Sequence, residues 1–421
     1  MKILVLGAGV VGVSTAWFLA RQGHEVVVVD RAAGAARETS FANGGQISVG
    51  QSEPWANPSA PWKVLKWLLR DDAPLLFRLK LDPAQWEWGL RFLGECLPGR
   101  WQRNMAQMVA LGSFSQEAYR EIAGHAGLDF DHAKAGIMTL FSTQRELDEG
   151  AQRCARLAEL GIERRLVSRE EMVAIEPALA CLAPTLAGGA WCPGDESGDV
   201  HRFTTGLAES AARMGVSFLF QTRVNALLPE GGRITGVSVT GPDGHYRILT
   251  ADRYVLAAGS YSPQLAATAG LRLPVYPAKG YSATVPVSGD GSSAPVVSLT
   301  DESHKLVFSR LGQRLRIAGT AELAGYSPTL NTRRCQALLT RARQCFPDAA
   351  QWECAEFWSG LRPATPGNVP LIGATRYGDL YLNTGHGTLG FTEGPGSGKA
   401  LAMLIDGRDP GIDFDFLGMK Q

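Results

Sequence analysis

Three glycines and one aspartate near the start of the chain have the types and spacing needed to hold a pyrophosphate. Gly7, Gly9 and Gly12 form a GxGxxG pattern, and Asp30 follows it. In such a pattern the first glycine makes a tight turn, the second lets the backbone approach the phosphates and the third lets a helix pack closely on a strand. The helix N-terminus attracts the phosphates, and the aspartate accepts hydrogen bonds from both ribose hydroxyls. These residues predict a site for an ADP-containing dinucleotide.

The flanking sequence supplies the elements that must position this turn. Residues 3–6 are an apolar run typical of a strand buried on both faces, residues 13–22 have helical spacing, and residues 26–29 indicate a second buried strand. Strand, glycine turn, helix, strand and acid in this order form a βαβ unit, a context that chance glycines rarely have. The unit alone does not distinguish FAD from NAD.

Three later segments favour FAD as the cofactor. Residues 39–46 carry hydroxyl and amide side chains around two glycines, which suits a loop that runs from a pyrophosphate along a ring system. Residues 254–259 indicate a buried strand that ends in small residues. Residues 380–392 indicate a strand and a glycine-rich loop, followed by a helix over about 396–405 whose N-terminus would stabilise negative charge on a reduced flavin. An NAD enzyme does not need its chain to return to the nucleotide so late.

Length and composition exclude several other classes of protein. A chain of 421 residues predicts two or three domains, and 45% hydrophobic with 19% charged residues excludes a disordered chain. Lys+Arg and Asp+Glu both number 41, so no net charge favours nucleic acid. The seven cysteines form no CxxC and no zinc spacing, which indicates reduced thiols and no metal site. We therefore predict a cytoplasmic protein that has no membrane span.

Six segments, in order along the whole chain, carry a resemblance to a known family. They are GAGVVG (7–12), ETSFANGGQ (38–46), GDVHRF (198–203), AKGYS (278–282), SGLRPATPGNVPLIG (359–373) and TGHGTLGFT (384–392). With these segments the chain resembles the D-amino acid dehydrogenases, within the wider glycine oxidase and D-amino acid oxidase superfamily. It departs from the family at Phe391, where a tryptophan is usual, and at Glu393–Gly398, where an apolar pair and a cysteine usually precede GSG. Both departures lie near the expected pocket and bear on the substrate.

The resemblance implies oxidative deamination of a D-amino acid. A hydride would pass from Cα to flavin N5, and water would hydrolyse the imine to a 2-oxo acid and ammonia. The electrons would pass to a quinone or another respiratory electron-transfer partner. Three alternatives stay open: a dehydrogenase of D-proline or D-hydroxyproline, an oxidase that uses dioxygen as glycine and sarcosine oxidases do, and a flavoprotein subunit of a heteromeric dehydrogenase.

The same resemblance assigns residues to the site. Arg362 matches the arginine that fixes the substrate carboxylate, a task that suits the planar guanidinium. Tyr281 is a second candidate for carboxylate binding, or a strand-edge tyrosine, and His386 is either a base or a loop histidine hydrogen-bonded to flavin or backbone. The residues predicted to bind the cofactor are Ile3, Gly7, Ala8, Gly9, Val10, Val11, Gly12, Asp30, Arg31, Thr39, Ser40, Asn43, Gly44, Gly45, Gln46, Val224, Ala258, Gly259, Gly385, His386, Gly387, Thr388, Leu389, Gly390, Phe391 and Thr392.

The predicted fold is α/β, with two domains. A Rossmann-type FAD-binding domain would comprise the discontinuous segments 1–60, 195–275 and 362–421. The substrate-binding domain, of the α+β class, would comprise segments 61–194 and 276–361. Its antiparallel sheet would include strands near 281–287, 305–309 and 314–319, and a basic helix is expected over 332–345.

Tryptophan is concentrated between residues 55 and 101, and residues 61–70 have the pattern of an amphipathic helix. Lys63, Lys66 and Arg70 share one face of this helix. Basic helices of this kind settle at anionic membrane interfaces, which would place the protein peripherally on the inner face of the plasma membrane. The alternative is that these residues cover the substrate pocket or pack on the sheet, which is commoner for amphipathic helices.

Overall fold

The computed structural model of the protein describes residues 1–62, 75–77 and 81–419. The amphipathic helix predicted at 61–70 lies almost entirely outside these described residues. In chain order the described elements are β1 (Lys2–Leu6), α1 (Val10–Arg21), β2 (Glu25–Val29), β3 (Gln46–Ile47), β4 (Leu75–Phe77), α2 (Pro83–Glu95), α3 (Pro98–Ala126), β5 (Ile137–Phe141), α4 (Gln144–Glu159), β6 (Arg165–Val167), α5 (Arg169–Ile175), β7 (Gly188–Cys192), β8 (Glu196–Ser197), α6 (Val200–Arg213), β9 (Ser217–Leu219), β10 (Arg223–Glu230), β11 (Arg233–Thr240), β12 (Tyr246–Leu249), β13 (Arg253–Leu256), α7 (Ser262–Thr268), β14 (Tyr276–Pro286), β15 (Ser298–Asp301), β16 (Leu306–Leu311), β17 (Arg314–Leu323), α8 (Thr332–Cys345), β18 (Glu356–Ala364), β19 (Leu371–Ala374), β20 (Leu380–Thr384) and α9 (Gly390–Ile405).

The first large sheet has six strands in the order β19-β20-β13-β1-β2-β9. All neighbours pair in parallel except β19 and β20, which are antiparallel. Its central strands are rich in valine, isoleucine and leucine because helices and loops cover both faces. The carboxyl ends of β1 and β2 lead into the glycine turn and Asp30, so the sheet places both at one edge, where doubly wound folds bind their ligands.

The second large sheet has nine strands, β18-β14-β17-β16-β15-β5-β7-β6, with β4 added beside β17. Most neighbours are antiparallel, as predicted, whereas the β15–β5 and β17–β4 pairs are parallel. The basic helix predicted over 332–345 is α8, and its buried residues Cys335, Leu338 and Ala342 pack with the sheet. Two small sheets, β10-β11-β12 and β3-β8, complete the described strands. The predicted domain boundaries stay a prediction.

Helix α9 begins at Gly390, six residues before the predicted start, and it contains Pro395. A proline inside a helix has no N–H to donate to the carbonyl four residues earlier. The hydroxyl of Tyr119, from α3, donates to that carbonyl, on Phe391, and the N–H of Gly396 donates to Ser115 Oγ at 2.9 Å. The helix therefore tolerates the proline because a neighbouring helix replaces the missing backbone hydrogen bonds. Sequence periodicity cannot show such a partner.

A helix that crosses a membrane needs about 20 consecutive, predominantly apolar residues. Within residues 1–62, 75–77 and 81–419, no helix is long and apolar enough to cross a membrane.

Candidate active site

A cavity of about 990 Å³ lies between the carboxyl edge of the first sheet and strands β14, β17 and β18 of the second. Every residue predicted to bind the cofactor lines this cavity except three. Ile3 is fully buried in the core of the first sheet. Gly12 lies in α1 against the turn, and the Oγ1 of Thr392 accepts a hydrogen bond from the N–H of Ser48 at 3.0 Å. These three residues lie behind the cavity wall, and a contact between them and the cofactor stays a prediction.

The β1–α1 turn needs its glycines for two different reasons. Gly7 has φ of +118°, and a Cβ there would lie 2.5 Å from the Ala257 carbonyl oxygen. A Cβ on Gly12 would lie 2.0 Å from the Gly7 carbonyl oxygen, so this glycine lets α1 pack against the turn. On Gly9 the nearest atom to a Cβ would be Ser40 Oγ, at 3.4 Å. The open side of Gly9 faces the cavity and suits a phosphate group.

The N-terminus of α1 offers positive potential to this part of the cavity. Its N-cap is Gly9, which has no capping side chain, and its first turn contains no acidic residue. The Val10 N–H donates to Ser40 Oγ at 3.0 Å, and Ser40 belongs to the predicted cofactor loop. The helix dipole and the remaining free N–H groups therefore favour an anion beside Gly9.

Asp30, at the end of β2, is held by two backbone N–H groups. Its Oδ2 accepts from Ala8 at 2.7 Å and its Oδ1 accepts from Ala32 at 2.8 Å. Each carboxylate oxygen keeps further acceptor capacity, and the residue lines the cavity. Next to it, the Arg31 guanidinium lies 3.9 Å from the Tyr261 ring centroid and pairs with Glu38. The arrangement suits recognition of ribose hydroxyls, as the sequence predicted.

The opposite wall of the cavity consists of glycine-rich backbone. In the loop before α9, Gly385 has φ of +92° and Gly387 has φ of +54°, both in the region that favours glycine. The Gly387 N–H donates to the Pro363 carbonyl at 2.9 Å, which ties the loop to β18. Helix α9 then begins at Gly390, at the cavity wall. Its positive N-terminal end would stabilise negative charge on a ring bound there.

Arg362 is the basic residue that the structure isolates most completely on this wall. It lies on β18, lines the cavity, and its Nη1 donates to the Thr320 carbonyl at 2.9 Å. Among the described residues no carboxylate forms an ion pair with it. Burial lowers the pKa of the Arg362 guanidinium to about 10, so the side chain stays charged at neutral pH. Arg362 is half-buried, and a partly desolvated cation without a counter-charge is costly, so an anionic ligand would reduce that cost.

The structure changes the roles predicted for Tyr281 and His386. The Tyr281 backbone borders the cavity, but its side chain is buried in the core beneath α8 and its hydroxyl donates to Glu322 Oε2 at 2.6 Å. The His386 imidazole lies with Nε2 2.9 Å from Ser397 Oγ, and burial lowers its pKa to about 3. Tyr281 is therefore not placed to bind a substrate carboxylate through its hydroxyl. His386 is neutral at physiological pH and is not an effective base.

Several residues of the cavity wall were not predicted from the sequence. Gly280 and Thr320 adjoin Arg362, and Trp358 covers Gly360, where a Cβ would lie 2.0 Å from the indole. Arg153 of α4 also lines the cavity, between Glu53 at 3.4 Å and Glu302 at 3.1 Å. A glycine inside a strand is a signal of close approach and could have identified Gly280. No sequence signal identifies the ion pairs, because their partners come from distant segments.

Glu393, one of the two departures from the family pattern, is a fully buried carboxyl group in the first turn of α9. Neither of its carboxylate oxygens has a hydrogen-bond partner in the part of the chain that the structure describes. Burial raises the pKa of Glu393 well above its usual value, so the group is held as the neutral acid.

In the part of the chain that the structure describes, no group of three or more His, Cys, Asp or Glu residues could hold a metal ion.

Known proteins resemble this chain over almost its whole length. The model of the family described as FAD dependent oxidoreductase matches residues 2–404. A D-amino acid dehydrogenase from Dechloromonas aromatica is 52% identical, over 99% of this chain and 100% of the relative. One from Paramagnetospirillum magneticum is 49% identical, over 100% of this chain and 99% of the relative.

Solved structures show the same fold at lower identity. Glycine oxidase from Geobacillus kaustophilus has a TM-score of 0.74 at 21% identity, and each chain is covered to 100%. L-proline dehydrogenase from P. horikoshii also has a TM-score of 0.74, at 20% identity, with 97% of this chain and 96% of that one covered. The predicted α/β fold, the FAD cofactor and the predicted family are thus confirmed. The chain belongs to the D-amino acid dehydrogenase family of FAD-dependent oxidoreductases.

Proposed function

We propose that this protein catalyses the oxidative deamination of D-amino acids to 2-oxo acids and ammonia. The observation that carries the proposal is Arg362, a half-buried guanidinium without an ion-pair partner among the described residues, on the wall of the FAD cavity. Relatives that match the full length at 44–52% identity are named D-amino acid dehydrogenase, which supports the same substrate class here.

The residues of the cavity fit FAD. The open side of Gly9 and the N-terminus of α1 would hold the pyrophosphate, Asp30 would hold the ribose, and residues 43–46 and 385–390 would contact the ring system. When bound, FAD supplies the electron-accepting chemistry that no amino-acid side chain provides.

The protein's own contribution to the reaction is to bind and orient the substrate. A bidentate contact from Arg362 to the carboxylate fixes the direction of the Cα–H bond. Gly280, Thr320 and Pro363 adjoin Arg362, and none of these three residues can exchange a proton near neutral pH. We infer that the substrate amine arrives in its neutral form, and we expect the rate to rise with pH until that amine is deprotonated.

A substrate panel tests this proposal directly. Purified protein with bound FAD is mixed with D- and L-amino acids and an artificial dye, and dye reduction is followed. We expect reduction with D-amino acids and little with their L-enantiomers. D-proline, measured in the same panel, separates a primary amino acid from a cyclic imino acid as preferred substrate. Faster reduction with L-enantiomers would contradict the proposal.

We further propose that the electrons pass to a membrane quinone and that the protein meets the bilayer through α2. Trp86, Leu90 and Leu93 recur at helical spacing along α2 and are all exposed, and Leu97, just past the end of this helix, is exposed as well. Trp88 and Phe92, on the other side of α2, are buried. An exposed apolar stripe of this kind suits an interface with lipid. The word dehydrogenase in the relatives' names also favours an acceptor other than dioxygen.

Vesicle flotation and a peroxide assay test this second part. The double variant Leu90→Glu/Leu93→Glu should float less with vesicles of anionic lipid than the wild type does. The matched control is Tyr246→Glu/Ile248→Glu. It also puts two charges on exposed apolar positions, but on strand β12 of the small sheet β10-β11-β12 and not on α2. Equal flotation of all three proteins would contradict membrane contact through α2. Hydrogen peroxide formation at the rate of substrate oxidation, without dye, would contradict the quinone.

A further inference from the structure

The side chain of Arg362 takes a path across the second sheet. Arg362 is on β18, paired with Ala278 of β14, and the next strand beyond β14 is β17. Its Nη1 nevertheless reaches the carbonyl of Thr320, on β17. The guanidinium must therefore cross β14, and it does so over Gly280.

Gly280 leaves the space that this path requires. A Cβ at Gly280 would lie 2.3 Å from Arg362 Cζ and Nη1 and 2.4 Å from Nη2. The backbone at Gly280 does not have a positive φ, so the conformation itself is open to any L-residue. The glycine is needed for its missing side chain, because the guanidinium occupies the place where that side chain would be.

A bulge in β17, the strand beyond β14, supplies the hydrogen-bond acceptor for Arg362 Nη1. Between the pairs Lys279–Glu322 and Tyr281–Gly319, β17 contains one residue more than β14. Thr320 lies in this bulge with φ of +53°, an unfavourable conformation for a β-branched residue. Bulges redirect local groups and often occur beside active sites. Here the bulge directs the Thr320 carbonyl oxygen toward Arg362 Nη1.

We infer that Gly280 is a positioning residue that holds the Arg362 guanidinium in the orientation needed to bind the substrate carboxylate. It acts through Arg362, from beneath the guanidinium, while the Thr320 carbonyl fixes one of the nitrogens. The inference rests on the proposed function, in which Arg362 binds that carboxylate. A Cβ here would collide with the end of a flexible side chain, so the arginine would move while the sheet stays in place.

The variant Gly280→Ala adds one methyl group at this point. We expect it to keep FAD and to raise KM for D-alanine roughly 10- to 100-fold, because small errors in the position of a binding group have effects of this size. The change should lie mainly in KM, since a carboxylate contact acts in both ground and transition states. The matched control is Gly194→Ala, because a Cβ on Gly194 would meet nothing within 4 Å. Wild-type KM in a Gly280→Ala protein that binds FAD would overturn the inference.

A double-mutant cycle with Arg362→Met separates positioning from a general structural role. In the Arg362→Met background there is no guanidinium to displace, so Gly280→Ala should raise KM no further. A further increase similar to that in the wild-type background would overturn the inference. If Gly280→Ala alone fails to fold, folding of the double variant supports the collision, and misfolding of both variants overturns it.

The cycle also distinguishes the inference from the proposed function. If Arg362→Met itself leaves KM unchanged, the assignment of the carboxylate to Arg362 is wrong. If Arg362→Met raises KM while Gly280→Ala does not, only the role of Gly280 is wrong.

Discussion

The two parts of the cavity wall that we propose bind the nucleotide and the substrate are constructed differently. The first consists of backbone N–H groups and one carboxylate from β1, α1 and β2, all within the first 30 residues. The second consists of one charged side chain, Arg362, placed by two other strands of the second sheet. A site made of backbone can be specified by a short contiguous motif. A site made of one side chain depends on the register of strands that are distant in sequence.

The largest effect should come from the backbone-built part. In Gly12→Ala, the new Cβ would lie 2.0 Å from the Gly7 carbonyl oxygen, and a backbone contact this short forces the turn to shift. We expect loss of bound FAD and a free energy of unfolding lower by about 3 kcal/mol. Flavin absorbance and denaturant unfolding measure both.

Gly89→Ala, in α2, is the matched control because a Cβ there would have no neighbour within 4 Å. It should keep FAD and gain about 0.5–1 kcal/mol in helix stability. If Gly12→Ala retained wild-type FAD content, close packing of α1 on the turn would not be required.

The next effect concerns the substrate-binding part. Arg362→Met removes the cation from the cavity wall. We expect the transition state for a D-amino acid to lose about 2–5 kcal/mol of stabilisation, which lowers kcat/KM accordingly. FAD should stay bound, because the nucleotide is held by a separate set of groups. Steady-state kinetics and the flavin spectrum of the same sample test this separation. If the variant lost its flavin, the two parts of the wall would not be independent.

A smaller effect is expected for Asp30→Asn. The amide oxygen can keep one backbone hydrogen bond, but the charge that favours the ribose hydroxyls is lost, and the amide NH₂ faces a backbone N–H. Hydrogen bonds to charged groups contribute about 1.5–3 kcal/mol, so the Kd for FAD should rise roughly tenfold or more. Titration of the apoprotein with FAD measures it. With FAD saturating, KM for the amino acid should equal that of the wild type, and a raised KM would argue against separate roles.

The smallest effect on cofactor and substrate binding is expected at Glu393, in the helix that borders the FAD cavity, where the change is one of stability. Its pKa is raised in the folded protein, so the unfolded chain ionises first, and stability falls as pH rises above about 4.5 toward the folded-state pKa. The slope is up to about 1.4 kcal/mol per pH unit from this group. We expect Glu393→Gln to have a higher Tm than the wild type at pH 8, and a smaller difference at pH 5. Equal differences at the two pH values would show that Glu393 does not titrate on unfolding.

Local patterns predicted much of the nucleotide-binding part. The buried strands, the glycine turn and Asp30 lie where expected. Helix α1 begins at Val10, three residues before the predicted start at residue 13, so the helix includes the last residues of the glycine motif. Helix α8 has the predicted bounds, since its amphipathic period is local information. By contrast, the early start of α9 depends on Tyr119 and Ser115 of another helix. The hydroxyl of Tyr281 donates to Glu322 on a neighbouring strand, a partner that the local sequence around Tyr281 cannot show.

The amino-acid sequence by itself therefore determined the dinucleotide turn, which depends on residue types at short, fixed spacing, and also the cofactor and the family, which depend on several local segments in a fixed order along the chain. Only the tertiary structure decided how Arg362 is held and which neighbours it has. Its guanidinium lies over Gly280 and ends at Thr320, and both positions follow from strand register and one bulge. Strand register is set by contacts among distant segments, so no local pattern can specify it.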